Sequence, residues 1–230
     1  MLELQNLTLA QGSFSLAANL TMEQGTRTAI IGPSGAGKST LLMALAGFLK
    51  PASGQIIANG QNITNAAPSD RPLSILFQDN NLFPHMSVHQ NVGLGLSSAL
   101  KLSKDKELEI DRALERVGLA GFQNRKPAEL SGGQQSRVAL ARVMVQRKPI
   151  ILLDEPFAAL GPALKVEMLD LVAQLCAQSG AMLLMVSHDP ADARHLCDLT
   201  CVVTGGHVAP PQPTGDLLDN PPAALKEYLG

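Results

Sequence analysis

Residues 32–40 read GPSGAGKST, and no other stretch restricts the possible folds so strongly. Gly32, Gly37, Lys38 and Ser39 fit the spacing G-x-x-x-x-G-K-[ST], with the apolar run Thr28-Ala29-Ile30-Ile31 before it and an apolar-rich helical segment over 38–48 after it. Strand, glycine loop and helix in that order make a cradle for phosphate. Glycines let successive backbone N–H groups turn inward, and the helix brings its positive end to the same point. Lys38 supplies a mobile charge for the β- and γ-phosphates, and Ser39 a hydroxyl ligand for Mg²⁺. Gly32, Pro33, Ser34, Gly35, Ala36, Gly37, Lys38, Ser39 and Thr40 are therefore the expected phosphate-binding residues, with ATP and Mg²⁺ as the expected ligands.

The rest of the chain supplies a setting for such a loop. Residues 2–31 read as two or three strands, Asn59-Gly60 as a hairpin turn, and Leu73 to Phe77 as a further strand. Continuous apolar runs at 150–153 and 181–186 suit parallel strands buried on both faces. Helical segments are expected at 103–117, 134–147, 164–178 and 191–197, a hairpin around Gly205-Gly206, and a Pro-rich tail from Pro210 that closes in a short helix. Alternating strands and helices predict an α/β fold with a mainly parallel core sheet. Residues 79–130 hold Asn, Pro and Gly and then a charged amphipathic helix. They read as a helical subdomain inserted in one domain that spans 1–230.

Composition narrows the function. Eighteen basic against 20 acidic residues give a net charge of −2, which lacks the basic excess of a non-specific nucleic-acid binder. Trp is absent and Tyr occurs once, so stacking platforms are not expected. Cys176, Cys197 and Cys201 have no paired spacing and read as buried free thiols. His85, His89, His195 and His207 lack the acidic neighbours of a metal site. No secretory signal or membrane-length apolar stretch is evident.

Two further strings carry chemistry. IILLDE at 150–155 places Asp154 and Glu155 at the end of a buried strand, where ligands bind in open α/β sheets. Asp154 suits a hold on Mg²⁺ through water, and Glu155 a base for the attacking water. LSGGQ at 130–134 opens a helix, with Ser131 as a suitable N-cap. Gly132 and Gly133 leave its first amides bare to an anion.

Lys38, Gln78, LSGGQ at 130–134, Asp154-Glu155 and His188 occur in the order found in one family. Over essentially its whole length the chain resembles the nucleotide-binding subunits of ABC transporters, which belong to the P-loop NTPases. The resemblance implies an antiparallel β subdomain beside the core and a homodimer that sandwiches two ATP molecules. Ser131, Gly132, Gly133 and Gln134 of one copy then face the phosphate loop of the other. It gives Gln78 contact with Mg²⁺ and the attacking water, and His188 contact with the γ-phosphate. Glu155, His188 and Gln78 become the catalytic set, with Ser39, Gln78 and Asp154 around the metal. It also implies a membrane permease partner, a position on the cytoplasmic face of the inner membrane and, indirectly, a periplasmic solute-binding protein.

The chain departs from the family at three points, the least of them Gln135-Ser136-Arg137 where a basic residue usually follows LSGGQ directly. It reads Ala158-Ala159-Leu160-Gly161 where S-A-L-D is usual, and Leu9-Ala10-Gln11 offers no aromatic for adenine. Phe14 is the nearest substitute and reads as core. FQDNNLFPHMSVHQNVGLGL at 77–96 is similar to the branch that drives bacterial thiamine importers, which implies uptake of thiamine and its phosphate esters. Iron, sulfate or polyamine import are the alternatives within the family. A soluble P-loop kinase leaves LSGGQ and His188 without a purpose. Relatives that act on DNA usually carry a long coiled coil, for which the roughly ninety residues between Lys38 and Leu130 leave no room.

Overall fold

The computed structural model describes residues 1–222, 225 and 226. Strands β1 (Leu2–Gln11) and β2 (Phe14–Met22) form an antiparallel hairpin whose alternating leucines face inward. A bulge between Leu4 and Leu7, with Asn6 in the left-handed region (φ 47°), bends the pair. β3 (Arg27–Ile31) leads through the glycine loop into α1 (Lys38–Ala46). β4 (Ser53–Ala58) and β5 (Gln61–Asn62) flank Asn59 and Gly60, whose φ angles of 50° and 77° are those of the expected Asn-Gly turn.

After β6 (Leu73–Leu76) come α2 (Val88–Gly93), α3 (Lys104–Arg116) and α4 (Gly132–Met144). β7 (Ile150–Asp154), α5 (Pro162–Ser179), β8 (Met182–Val186), α6 (Pro190–Leu196) and β9 (Leu199–Thr204) complete the alternating core. The chain goes on through β10 (His207–Val208), β11 (Gln212–Pro213) and α7 (Thr214–Asp219). The expected helix at the very end of the tail lies largely outside the described residues. α2 was not evident from periodicity because six residues are too few to display it. Its signal is instead the capping box of Ser87 and Gln90.

The strand order is β5-β4-β1-β2-β10-β9-β3-β8-β7-β6, with β11 against β9. β9, β3, β8, β7 and β6 run parallel to one another, while β1, β2, β4 and β5 pair antiparallel. The strands alternate their side chains between the two sheet faces, so each face of the parallel part gains its own core. Ile30, Leu152, Leu184 and Val186 pack with Leu41, Leu42 and Leu45 of α1 and with the β1–β2 leucines. Ile31, Leu153, Leu183 and Met185 pack on the opposite side with α4, α5 and α6. A third cluster joins Val88, Val92, Ile110 and Leu114 to Val138 and Ala141 of α4. The three cysteines are buried, and burial pushes the Cys176 thiol up to about 11.

One buried side chain ties the C-terminal end of α1 to the segment that follows β5. Arg71, 1% exposed, donates to the carbonyls of Ala44 (2.8 Å), Leu45 (2.7 Å), Thr64 (3.0 Å) and Ala66 (3.1 Å). It thereby supplies a donor to the orphan Leu45 carbonyl and a second donor to that of Ala44 at the C-terminus of α1, where the helix dipole also favours a cation. Gly47, just past the helix at φ 88°, must lack a Cβ, which would lie 2.6 Å from Arg71 Nε. Replacing Arg71 with Met takes the side-chain donor from the Leu45, Thr64 and Ala66 carbonyls, while Ala44 O keeps the Gly47 amide at 3.2 Å, at roughly 1–3 kcal/mol for each buried group left unpaired. R71M should therefore lose about 3 kcal/mol or more in urea unfolding.

Candidate nucleotide site

Sterics at two glycines set the loop. Gly32 (φ 149°) follows β3 where β9 passes so close that a Cβ would lie 2.1 Å from the Val203 carbonyl oxygen. Gly37 (φ 104°) caps α1, and a Cβ there would lie 2.5 Å from Phe14 Cζ. Between them Pro33, Ser34 and Gly35 are exposed, and the Ala36 amide donates to Pro33 O (3.2 Å). Thr40 lies half-buried in the first turn of α1. Lys38 is buried, and its Nζ donates to the carbonyls of Gly32 (2.8 Å) and Pro33 (3.0 Å). Desolvation lowers its pKa, and the nearby carboxylates Glu155 and Asp154 oppose that shift.

The parallel strands deliver the other groups to the same end of the sheet. Leu76 is level with Leu153, Asp154 with Val186, and Ile30 with Val186. Gln78, Glu155 and His188 therefore all lie one or two residues beyond neighbouring strand ends. The Ser39 hydroxyl donates to Asp154 Oδ1 (3.0 Å). Burial raises the Asp154 carboxyl, the Ser39 bond lowers it and the neighbouring Glu155 raises it further. Glu155 sits in the left-handed region (φ 46°), its amide bonded to Val186 O, and its Oε2 is 3.2 Å from His188 Nδ1. Gln78 is exposed. No cluster of His, Cys, Asp and Glu able to cage a metal occurs among the described residues. Hard oxygen donors such as Ser39 and Asp154 instead suit Mg²⁺ held jointly with phosphate.

Residues 131–134 take no part in that cluster. Ser131 caps α4: its Oγ accepts from the Gln134 amide (3.3 Å), while Gln134 Oε1 accepts from the Ser131 amide (3.0 Å). Gly133 is buried, and a Cβ there would lie 2.4 Å from Leu164 Cδ2, whereas Gly132 faces open space. Phe14 is half-buried and packs on the α1-side core.

Two sets of supporting residues were not apparent from sequence. Arg142 on α4 donates to the carbonyls of Asn80 (2.6 Å) and Asn81 (2.7 Å), and Asn80 Nδ2 donates to Ser136 Oγ (3.3 Å). The helix that begins at the 131–134 segment thus holds the loop that follows Gln78. Lys165 on α5 bonds Asp189 (2.6 Å) and Asp192 (2.8 Å), and Asp192 accepts from Ser187 (2.7 Å). These bonds frame His188, and the Lys165 ammonium holds the Asp189 carboxyl below its usual range. Long-range ion pairs of this kind leave no periodic or local signature.

Residues 16–158 match the sequence pattern of the ABC transporter family. The chain belongs to that family. The thiamine import ATP-binding protein ThiQ of Ruegeria sp. (strain TM1040) is 55% identical over 230 residues, covering 100% of both chains. Among solved structures, the ADP conformation of MJ1267, an ATP-binding cassette of an ABC transporter, superposes with a TM-score of 0.89 at 26% identity, covering 100% of this chain and 98% of that one. A dimeric post-hydrolysis state of the cassette MJ0796, bound to ADP and Pi, gives 0.79 at 29% identity, covering 93% and 99%. The ABC transporter fold is thus shown both by sequence and by architecture.

The raised Asp154 carboxyl has a consequence for stability. A folded-state pKa above the unfolded one means that the ionised group opposes folding at neutral pH, and that acidification through the folded value relieves the cost. Asp154→Asn removes that charge and keeps an acceptor for Ser39. D154N should raise the melting temperature of the apo protein at pH 7 while weakening the Mg²⁺-dependent tightening of ATP. Thermal unfolding with and without Mg-ATP reads both.

Proposed function

We propose that this chain is the ATP-hydrolysing subunit of a bacterial thiamine importer, working as a homodimer beneath a membrane permease. The observation that carries the ATPase is the convergence of Ser39-Asp154 and Glu155-His188 contacts beside buried Lys38. The cargo is inferred from full-length similarity to thiamine import ATP-binding proteins.

Each residue has a task that follows from its place. The 32–40 amides and Lys38 bind the phosphates of ATP. Ser39 and Asp154 would hold Mg²⁺, with exposed Gln78 beyond β6 completing the set. When bound, that ion neutralises phosphate charge and orients the β- and γ-phosphates. Glu155 accepts the proton of the attacking water at a carboxylate oxygen, and His188 Nδ1 orients that carboxylate. Ser131 to Gln134, with Gly132 open on its outer side, suit the γ-phosphate of ATP held by a second copy, and a dimeric cassette is known for MJ0796. A two-copy site makes nucleotide the element that switches the assembly between open and closed states.

The permease is expected near exposed Phe48 and Phe83, at 53% and 44% exposure. Phe48 packs at a tilt against Phe77, ring centres 6.0 Å apart, directly before Gln78, and Phe83 meets His85 edge-on at 6.1 Å. Apolar side chains of this kind, clustered beside a nucleotide-sensing loop, suit a protein partner. No helix among the described residues is long and apolar enough to cross a membrane, so attachment to the inner membrane's cytoplasmic face would run through the permease. A periplasmic binding protein would deliver the solute from the other side.

Glu155→Gln should cut hydrolysis by about 10²–10⁴-fold and accumulate an ATP-bound dimer in sedimentation. A variant that remains monomeric at saturating Mg-ATP contradicts the two-copy site. For the cargo, the complex with its permease is reconstituted and ATPase is measured with thiamine-loaded binding protein. Stimulation by thiamine is expected. Stimulation by iron, sulfate or polyamine alone replaces the cargo, and the absence of any permease favours a soluble kinase.

A further inference from the structure

A cavity of about 530 Å³ opens at the opposite end of the sheet from Lys38. Its walls come from the N-terminal approaches to β7 and β8, from the end of α5, and from α3. The volume falls within the range of small-molecule sites. Val143, Ile151 and Leu175 give it a buried apolar floor.

The rim is cationic in a chain whose net charge is negative. Arg112, Arg116, Arg147 and Lys148 line it against a single carboxylate, Glu109. Glu109 is engaged by Arg147 (2.7 Å), and Lys148 Nζ is committed to the Arg71 carbonyl (2.9 Å). Arg112 and Arg116 stand one turn apart on the same face of α3, and both are exposed. Like charges at that spacing oppose the helix, and an anion set between them relieves the repulsion. Two guanidinium forks above an apolar floor match an anionic group on a planar apolar body.

We propose that this cavity is a binding site for an aromatic phosphate ester, with thiamine diphosphate as its representative. The choice of that ester rests on the thiamine reading above, whereas the cavity's chemistry does not. Thiamine itself carries a fixed cationic ring that the arginines repel, and the diphosphate reverses its net charge. The site therefore distinguishes the phosphorylated vitamin from the free one. Because α3 packs in the helical cluster and α5 in the core, an occupant touches both units and ties their relative orientation to ligand supply.

The test is calorimetric titration of the full chain with thiamine diphosphate, thiamine and inorganic pyrophosphate. It is run on the wild type, R112E/R116E, Q178E and K38A. Gln178 is exposed on the cavity wall, so Q178E adds a repelling carboxylate without disturbing the core. Saturable binding of thiamine diphosphate is expected, about tenfold or more weaker in R112E/R116E and weakened in Q178E, which corresponds to about 1.4 kcal/mol or more. It should be unchanged in K38A and about tenfold tighter than either thiamine or pyrophosphate. Three results overturn the proposal: no saturable binding, binding that R112E/R116E retains and K38A loses, or pyrophosphate binding as tightly as the ester. Thiamine-stimulated ATPase is measured in parallel on the same chain reconstituted with its permease and thiamine-loaded binding protein. Stimulation without thiamine diphosphate binding overturns the cavity site alone, and binding without stimulation overturns the transport reading alone.

Discussion

Lys38 carries an ammonium group almost out of water, between the carbonyls of Gly32 and Pro33 and in the field of Glu155 and Asp154. Desolvation works against its charge and against that of Asp154, so the cluster is electrostatically uncomfortable in the isolated chain. Glu155 adds backbone strain, since a left-handed non-glycine residue costs about 1–3 kcal/mol. What holds these groups together is the parallel register of β3, β8, β7 and β6, buried on both faces by separate cores. A nucleotide phosphate beside Lys38 would offset the charge that the fold has buried there. Binding energy and structural tension are here two descriptions of the same groups.

The supports of this cluster lie at a distance in sequence. Arg142 connects the helix of the 131–134 segment to the loop after Gln78, and Lys165 connects α5 to the turn that carries His188. A shift of α4 relative to the core therefore moves the Gln78 loop with it. This is a physical connection between the part of the molecule that would meet a second copy and the part that would meet a permease. It consists of hydrogen bonds to backbone carbonyls, which transmit position and not merely charge.

How far the fold was legible depended on the range of the interactions. The phosphate loop, the 150–155 strand and the 131–134 cap were readable because glycine dihedrals, apolar runs and a capping side chain act within a few residues. Strand β6 and helices α4, α5 and α6 agreed within one to three residues at each end, where fraying and caps blur any boundary. Short elements were harder: α2 has one capping box and no period, and β11 has two residues. Arg71 was not distinguishable from a surface arginine, because its partners Ala44 and Leu45 lie 27 and 26 residues away. The cavity rim was equally invisible, since α3 and α5 meet there only through the tertiary fold.

Gly161 illustrates how a local departure acquires meaning from its surroundings. It occupies the N-cap of α5 with extended backbone (φ −65°, ψ 156°), followed by Pro162 at the first helical position. A Cβ there would meet nothing within 4 Å, so space does not demand glycine. As an N-cap, glycine gives up only a few tenths of a kcal/mol to aspartate, so the helix start does not depend on the acid either. What the departure removes is a negative charge four residues before Lys165, a spacing at which an acid and a lysine attract one another. An acid at 161 would compete for the ammonium that Asp189 and Asp192 now hold at 2.6 and 2.8 Å. Lys165 is held instead by Asp189 and Asp192, next to His188 in the chain.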